Sequence, residues 1–182
     1  VCPEFNLGTE WNKGKEKGMY EKILVPLDGS KLAECVIPHI QAMAANGVTK
    51  EIYLVQVIEP YQKPPFTDYI FEEGKVKKVI EEEQIKKIEA AYKTAAEEYL
   101  KKIARELNYE NVKINYQVMV HSSVAESLAE FVDKNQIDLI VIATHGRSGV
   151  SRWVWGSVAD RILRSSCVPV LMVRAPGCVP GI

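Results

Sequence analysis

A three-layer α/β/α fold around a five-stranded parallel sheet is what this sequence predicts, on three observations. Apolar strand-like runs and amphipathic helix-like runs alternate strictly from Lys22 to Val173, and such alternation implies right-handed crossovers with helices on both sides of a parallel sheet. The run "DLIVIA" (138–143) is almost continuously apolar, as in a strand covered on both faces. The chain has 182 residues, 47% of them apolar and 26% charged, which is enough for one substantial core and short for two.

The elements follow in order. "KILVPL", Lys22 to Leu27, reads as a short buried strand ended by "DGS", a turn whose Ser30 can cap the next helix. Leu32, Val36, Ile40 and Met43 then recur at helical spacing until Gly47, with Pro38 predicting a local bend. "EIYLVQVI", Glu51 to Ile58, is a second strand. Residues 59–80 are too irregular for a regular element and read as a long surface loop. From about Glu81, Ile85, Ile88, Tyr92, Ala95, Tyr99, Ile103 and Leu107 step by three or four and mark one long amphipathic helix.

"VKINYQVMV", Val112 to Val120, alternates like a half-buried strand. Ser123 and Glu126 have the spacing of a capping box, ahead of a helix whose inner face is Val124, Leu128, Phe131 and Val132. The apolar strand to Ala143 comes next, then a loop, a helix over about 157–165, and a last strand, "VPVLMV" (168–173).

Lys plus Arg is 23 and Asp plus Glu is 24, a formal net charge of -1, so no global field argues for nucleic acid or for disorder. No apolar stretch approaches the roughly 20 residues needed to span a bilayer. Residues 1–18 have no continuous apolar centre and read as a leader or a cloning remnant. The domain proper occupies 19–176, and 177–182 form a tail. Of the four cysteines, none lies at metal-knuckle or redox-pair spacing. Cys35 and Cys167 read as packed thiols, Cys2 and Cys178 would pair only if the termini meet, and the set fits a reducing cytoplasm.

In doubly wound sheets ligands sit beyond the strand carboxyl ends, where the chain order reverses. That places "DGS" (28–30) and "ATHGRSGVSRWVWGS" (143–157) among the candidate site loops. A phosphate site needs converging backbone N–H groups, favoured at a helix N-terminus. Gly146 and Gly156 would let an anion approach the backbone, and Ser157, three residues before Asp160, has the placing of a cap. The same residues also make a good turn and cap, so local chemistry alone leaves both readings open. Neither the Walker lysine cradle nor a strand followed by Gly-x-Gly-x2-Gly occurs.

The spacing is more specific than the composition. "ATHGRSGVSRWVWGSVADRILRSSCVPVLMVR", preceded by "DLIVI", resembles the C-terminal signature of the universal stress protein family, whose nucleotide-binding members carry Gly-x2-Gly-x9-Gly-[Ser/Thr]. Gly146, Gly156 and Ser157 match the last three elements, and Ala143 replaces the first glycine. "KILVPLDGS" resembles the family's first strand and Asp loop, and the element order agrees over about 19–174. The resemblance implies a Rossmann-like fold of the adenine nucleotide alpha hydrolase type that binds ATP or another adenine nucleotide with Mg or Mn. It implies that Gly146, Gly156, Ser157 and the Val158 backbone hold phosphates and that Ile142 and Ala143 line the ribose. Pro26 and Asp28 would face the nucleoside, and the Val57 main chain would meet adenine. It further implies a homodimer formed through the last strand (168–173), where an exposed apolar edge also calls for cover.

His145 reads as a loop histidine near the ligand, because no serine or cysteine nucleophile with a partnering acid is discernible. Arg147 and Arg152 read as surface arginines, and Trp153 and Trp155 as packing residues. Three functions compete: an ATP-binding stress or regulatory protein, an interaction module of the same fold without nucleotide, and an enzyme forming an adenylated intermediate. The lack of an early "SGGxDS"-like loop counts against the third. Slow ATP hydrolysis is a variant of the first, although no residue stands out to activate water.

Overall fold

The computed structural model describes residues 20–61, 69–72, 75–78, 82–144 and 157–174. Its main sheet has five parallel strands in the order β5-β2-β1-β6-β7. They are β1 (Lys22–Pro26), β2 (Glu51–Ile58), β5 (Lys113–Val120), β6 (Leu139–Ala143) and β7 (Val170–Val173). The helices are α1 (Ile37–Ala45), α2 (Glu82–Glu106), α3 (Val124–Asn135) and α4 (Ser157–Ser165). The predicted fold class is therefore the observed one.

Side-chain alternation divides the core into two layers. Ile23 and Val25 of β1, Ile52 and Leu54 of β2, and Val141 of β6 pack with Ile40 of α1 and with Leu100, Ile103 and Leu107 of α2. On the opposite face Leu24, Val55, Ile140 and Ile142 pack with Leu128, Phe131 and Val132 of α3 and with Ala159 and Ile162 of α4. Every residue of β6 is buried, which is why its sequence is a continuous apolar run rather than an alternation. Full burial of each Ile or Leu here stabilises the fold by roughly 1.5–3 kcal/mol.

Polar groups fix the register of the central strands. The Asp138 carboxylate accepts the Lys22 N–H at 2.8 Å, and the Asp138 N–H donates to the Lys22 carbonyl at 2.9 Å. On the other side the Lys50 and Glu51 N–H groups both donate to the Glu21 carbonyl at 2.9 Å, as does the buried Thr49 hydroxyl at 3.0 Å. These contacts set β1 against β6 and β2 before the strands begin.

Three local expectations need correction. The first helix is two pieces: a 3-10 turn over Ala33–Val36, then α1 with Pro38 at its start, where the missing N–H costs nothing. Residues 59–80 contain an antiparallel hairpin, β3 (Tyr69–Glu72) and β4 (Lys75–Lys78). Its signal was two short β-prone runs separated by Glu73-Gly74, runs too short to show a period. Cys167 is no packed thiol but is exposed and disulfide-bonded, whereas Cys35 is free; Cys2 and Cys178 lie outside the described residues. Residues 1–18 and 177–182 also lie outside them.

The end of α1 shows why a glycine stands at position 47. Gly47 has φ +68°, its N–H donates to the Ala44 carbonyl, and the Val48 N–H reaches back to Met43 at 2.9 Å, a left-handed helix stop. In urea unfolding, Leu128→Ala is expected to cost about 2–5 kcal/mol through the cavity it leaves. Gly47→Ala, where a Cβ would meet nothing within 4 Å, is expected to cost only about 1–2 kcal/mol from backbone strain.

Candidate functional site

The chain leaves β1 toward β2 and β5 on one side, then returns through α3 to β6 and β7 on the other. The reversal opens a crevice at the carboxyl ends of β1 and β6, the usual ligand position in such sheets. Strand parity places Pro26 with Leu24, Val57 with Val55 and Ile142 with Ile140, all on the α3 and α4 side of the sheet. Val57, Ile142 and Val158 pack in one apolar cluster with Met119, Val57's register partner on β5. Ala143 falls on the opposite face and is buried, 8% exposed, in the layer that also holds Val173. Only its backbone is therefore available to the crevice from that strand position.

The Asp28 loop is tightly built. The Asp28 carboxylate accepts the Ser30 N–H at 2.9 Å, and the Ser30 hydroxyl accepts the Ala33 N–H at 3.1 Å, capping the 3-10 turn as expected of Ser30. Gly29 between them has φ +79°, a conformation that glycine adopts without strain. The Leu27 N–H is bonded to the Val55 carbonyl at 2.9 Å, so the loop is anchored to β2 as it leaves the sheet. Asp28 is partly buried and stands at the end of the central strand.

On the far side, the Thr144 N–H donates to the Val173 carbonyl at 2.9 Å, holding the end of β6 against β7. Gly146, Gly156, His145, Arg147, Arg152, Trp153 and Trp155 lie outside the described residues. Ser157 is the first residue of α4, as the sequence indicated. The Asp160 carboxylate pairs with Arg164 at 3.0 Å, an exposed i,i+4 contact that supports the helix from within.

The loop from β5 to α3 also ends at this edge of the sheet. Ser123 occupies the cap position of α3, but its side chain makes no capping bond. Instead its N–H donates to His121 Nδ1 at 3.0 Å, so the imidazole takes the place of the expected capping box. Sequence reasoning missed Met119 as a neighbour of Val57, although the alternation of β5 already put it on that face. Among the described residues no group of three His, Cys, Asp or Glu is placed to hold a metal ion.

The fold defines a doubly wound α/β domain with a switch point between β1 and β6. The universal stress protein family model matches residues 19–174, and this chain belongs to that family. It is 30% identical over 160 residues to the universal stress protein MJ0531 of Methanocaldococcus jannaschii, covering 88% of this chain and 85% of that one. Among solved structures, MJ0577 superposes with a TM-score of 0.67 at 23% identity, covering 87% of this chain and 99% of the other. A family protein of Arabidopsis thaliana with AMP bound superposes with a TM-score of 0.57 at 12% identity, covering 86% and 93%. One from Archaeoglobus fulgidus in complex with dAMP gives 0.51 at 22%, covering 85% and 98%.

Cys35 lies in the 3-10 turn behind the Asp28 loop, and burial raises its thiol pKa. The folded state thus holds this proton where the unfolded chain has released it, so stability falls as pH rises past the unfolded thiol value, about 8.5. Urea midpoints at pH 7 and pH 9.5, without reductant, should show a larger alkaline loss in the wild type than in Cys35→Ala.

Proposed function

We propose that this protein binds an adenine nucleotide, ATP foremost, across the carboxyl ends of β1, β2 and β6, and acts as a nucleotide-loaded stress or regulatory protein. The observation that carries the reading is the gathering of Pro26, Asp28, Val57, Ile142 and the start of α4 at one switch point. The AMP- and dAMP-bound family members support the ligand class. In this reading the Val57 main chain meets adenine, Pro26 and Asp28 face the nucleoside, and the Ile142–Ala143 backbone borders the ribose. The Gly146, Gly156 and Ser157 segment, with the Val158 N–H, takes the phosphates at the positive end of α4.

Ala143 in place of the motif's first glycine is compatible with this arrangement, because its methyl group packs into the opposite layer. With no carboxylate cage among the described residues, Mg or Mn would arrive on the phosphate oxygens and keep several waters. The ion would neutralise phosphate charge, and the chain's part would be to orient the nucleotide. The edge strand β7 is the surface we assign to homodimer formation. A cytoplasmic location fits the cysteine spacing, whereas the Cys167 disulfide pulls the other way, since disulfides are rare in reducing cytosols.

Titration calorimetry of purified protein with ATP and Mg should show binding, and Gly156→Trp should abolish it. Asp28→Ala should weaken binding by about tenfold, the worth of one or two hydrogen bonds to a charged group. Absence of heat with ATP, AMP and ADP alike, together with no nucleotide on acid extraction, would leave the interaction-module reading standing. Leu171→Lys on β7 should halve the mass seen by light scattering while leaving nucleotide affinity intact.

A further inference from the structure

The turn from β5 into α3 carries two alternative caps for one helix end. His121 is the first residue after β5, and its N–H donates to the carbonyl of Ile58, the last residue of β2, at 3.0 Å. Its ring Nδ1 lies 3.0 Å from the Ser123 nitrogen and 2.9 Å from the Ser123 carbonyl oxygen. One ring nitrogen cannot serve both groups at once. It accepts from the N–H when it carries a lone pair and donates to the carbonyl when it carries a proton.

The needs of the two backbone groups are unequal. The Ser123 carbonyl already accepts the Ser127 N–H at 3.1 Å, whereas the N–H groups at a helix start have no partner inside the helix. The neutral ring is therefore better used accepting from Ser123 through Nδ1, with its proton on Nε2. In that state the second cap is idle. Ser123 has φ −127° and ψ 108°, the extended backbone of an N-cap residue, yet its hydroxyl oxygen is buried without a hydrogen-bond partner among the described residues. Three residues on, in the first turn of α3, stands Glu126, the other half of a Ser-x-x-Glu capping box.

A second proton on the ring reverses the preference. Nδ1–H then donates a charge-assisted bond to the Ser123 carbonyl, and the Ser123 N–H is released. The Glu126 carboxylate is the acceptor that a capping box supplies for that N–H, and the idle Ser123 hydroxyl accepts the Glu126 N–H in return. The α3 dipole opposes a positive charge at this end, and carboxylates offset it. In the first turn of α3 and at the end of β2 the charged groups are Glu126 and Glu59, the latter next in register beside His121. Both are exposed.

We propose that this turn is a proton-operated cap: neutral His121 caps α3 through Nδ1, and the protonated ring hands the helix end to the Ser123–Glu126 box. Imidazole is the side chain suited to sensing mild acid. The backbone of His121 is bonded to Ile58, one residue past Val57, so the device sits at the β2 end of the proposed site. Its bearing on a ligand rests on the nucleotide reading, whereas the exchange of caps does not.

Nuclear magnetic resonance on the full, nucleotide-free chain labelled with nitrogen-15 tests this from pH 8 to pH 5. At pH 8 the His121 ring should be the Nε2–H tautomer. On acidification the protection of the Glu126 amide, corrected for intrinsic exchange, should rise by about fivefold, the worth of one capping bond, in step with the ring. Ser123→Ala should keep the tautomer at pH 8 and lose the gain in acid. His121→Phe, which has no ring nitrogen, should show the box-like protection of Glu126 at every pH. An Nδ1–H tautomer at pH 8, a Glu126 amide that does not respond in the wild type, or the same acid response in His121→Phe would each overturn the proposal. The first two outcomes are read on the wild type and stand even where a variant folds poorly. Because no nucleotide is present, failure here is distinct from failure of the binding reading.

Discussion

Everything in this molecule hangs on the central position of β1. It is paired to β2 on one side and β6 on the other, and both pairings are fixed by polar bonds at Glu21, Lys22 and Asp138 before the apolar strands begin. Those bonds are short-ranged and directional, so they select one register where apolar packing alone would tolerate a slip. With β1 placed, the chain must reverse beside it, and the reversal creates the crevice.

The apolar layers then do the bulk of the stabilisation, and they also position the site. Val57, Ile142 and Val158 share one cluster with α3 residues, so the floor of the proposed nucleotide site is a continuation of the core. Such a floor is rigid because interiors are close-packed. The polar rim is different in kind. Asp28, Gly29 and Ser30 are held by local hydrogen bonds and a left-handed glycine, a turn that the chain imposes on itself with little help from packing.

Where sequence reading failed, the failures have identifiable causes. The hairpin in 59–80 was missed because four-residue strands carry too few positions to show a period, and Pro and aromatic residues nearby obscured the turn. The capping box at Ser123 lost to His121, which reached the same N–H from two residues upstream; no spacing rule anticipates a histidine in that role. Cys167 was assigned to packing because its spacing matched no motif, yet disulfides join residues distant in sequence and depend on where the ends come to lie.

By itself the sequence determined the fold class, the run of strands and helices, and the loops that carry the candidate site. These follow from apolar periodicity, from glycine and serine turn chemistry, and from the spacing of Gly146, Gly156 and Ser157. Only the tertiary structure decided which face each strand residue takes relative to the crevice, that Ala143 turns its methyl group into the opposite layer, and that the first half of α2, Glu83 to Ala95, stays outside the core. The reason is physical: periodicity is a property of one segment, whereas facing, overhang and register arise from the relative lengths and placements of segments far apart in the chain.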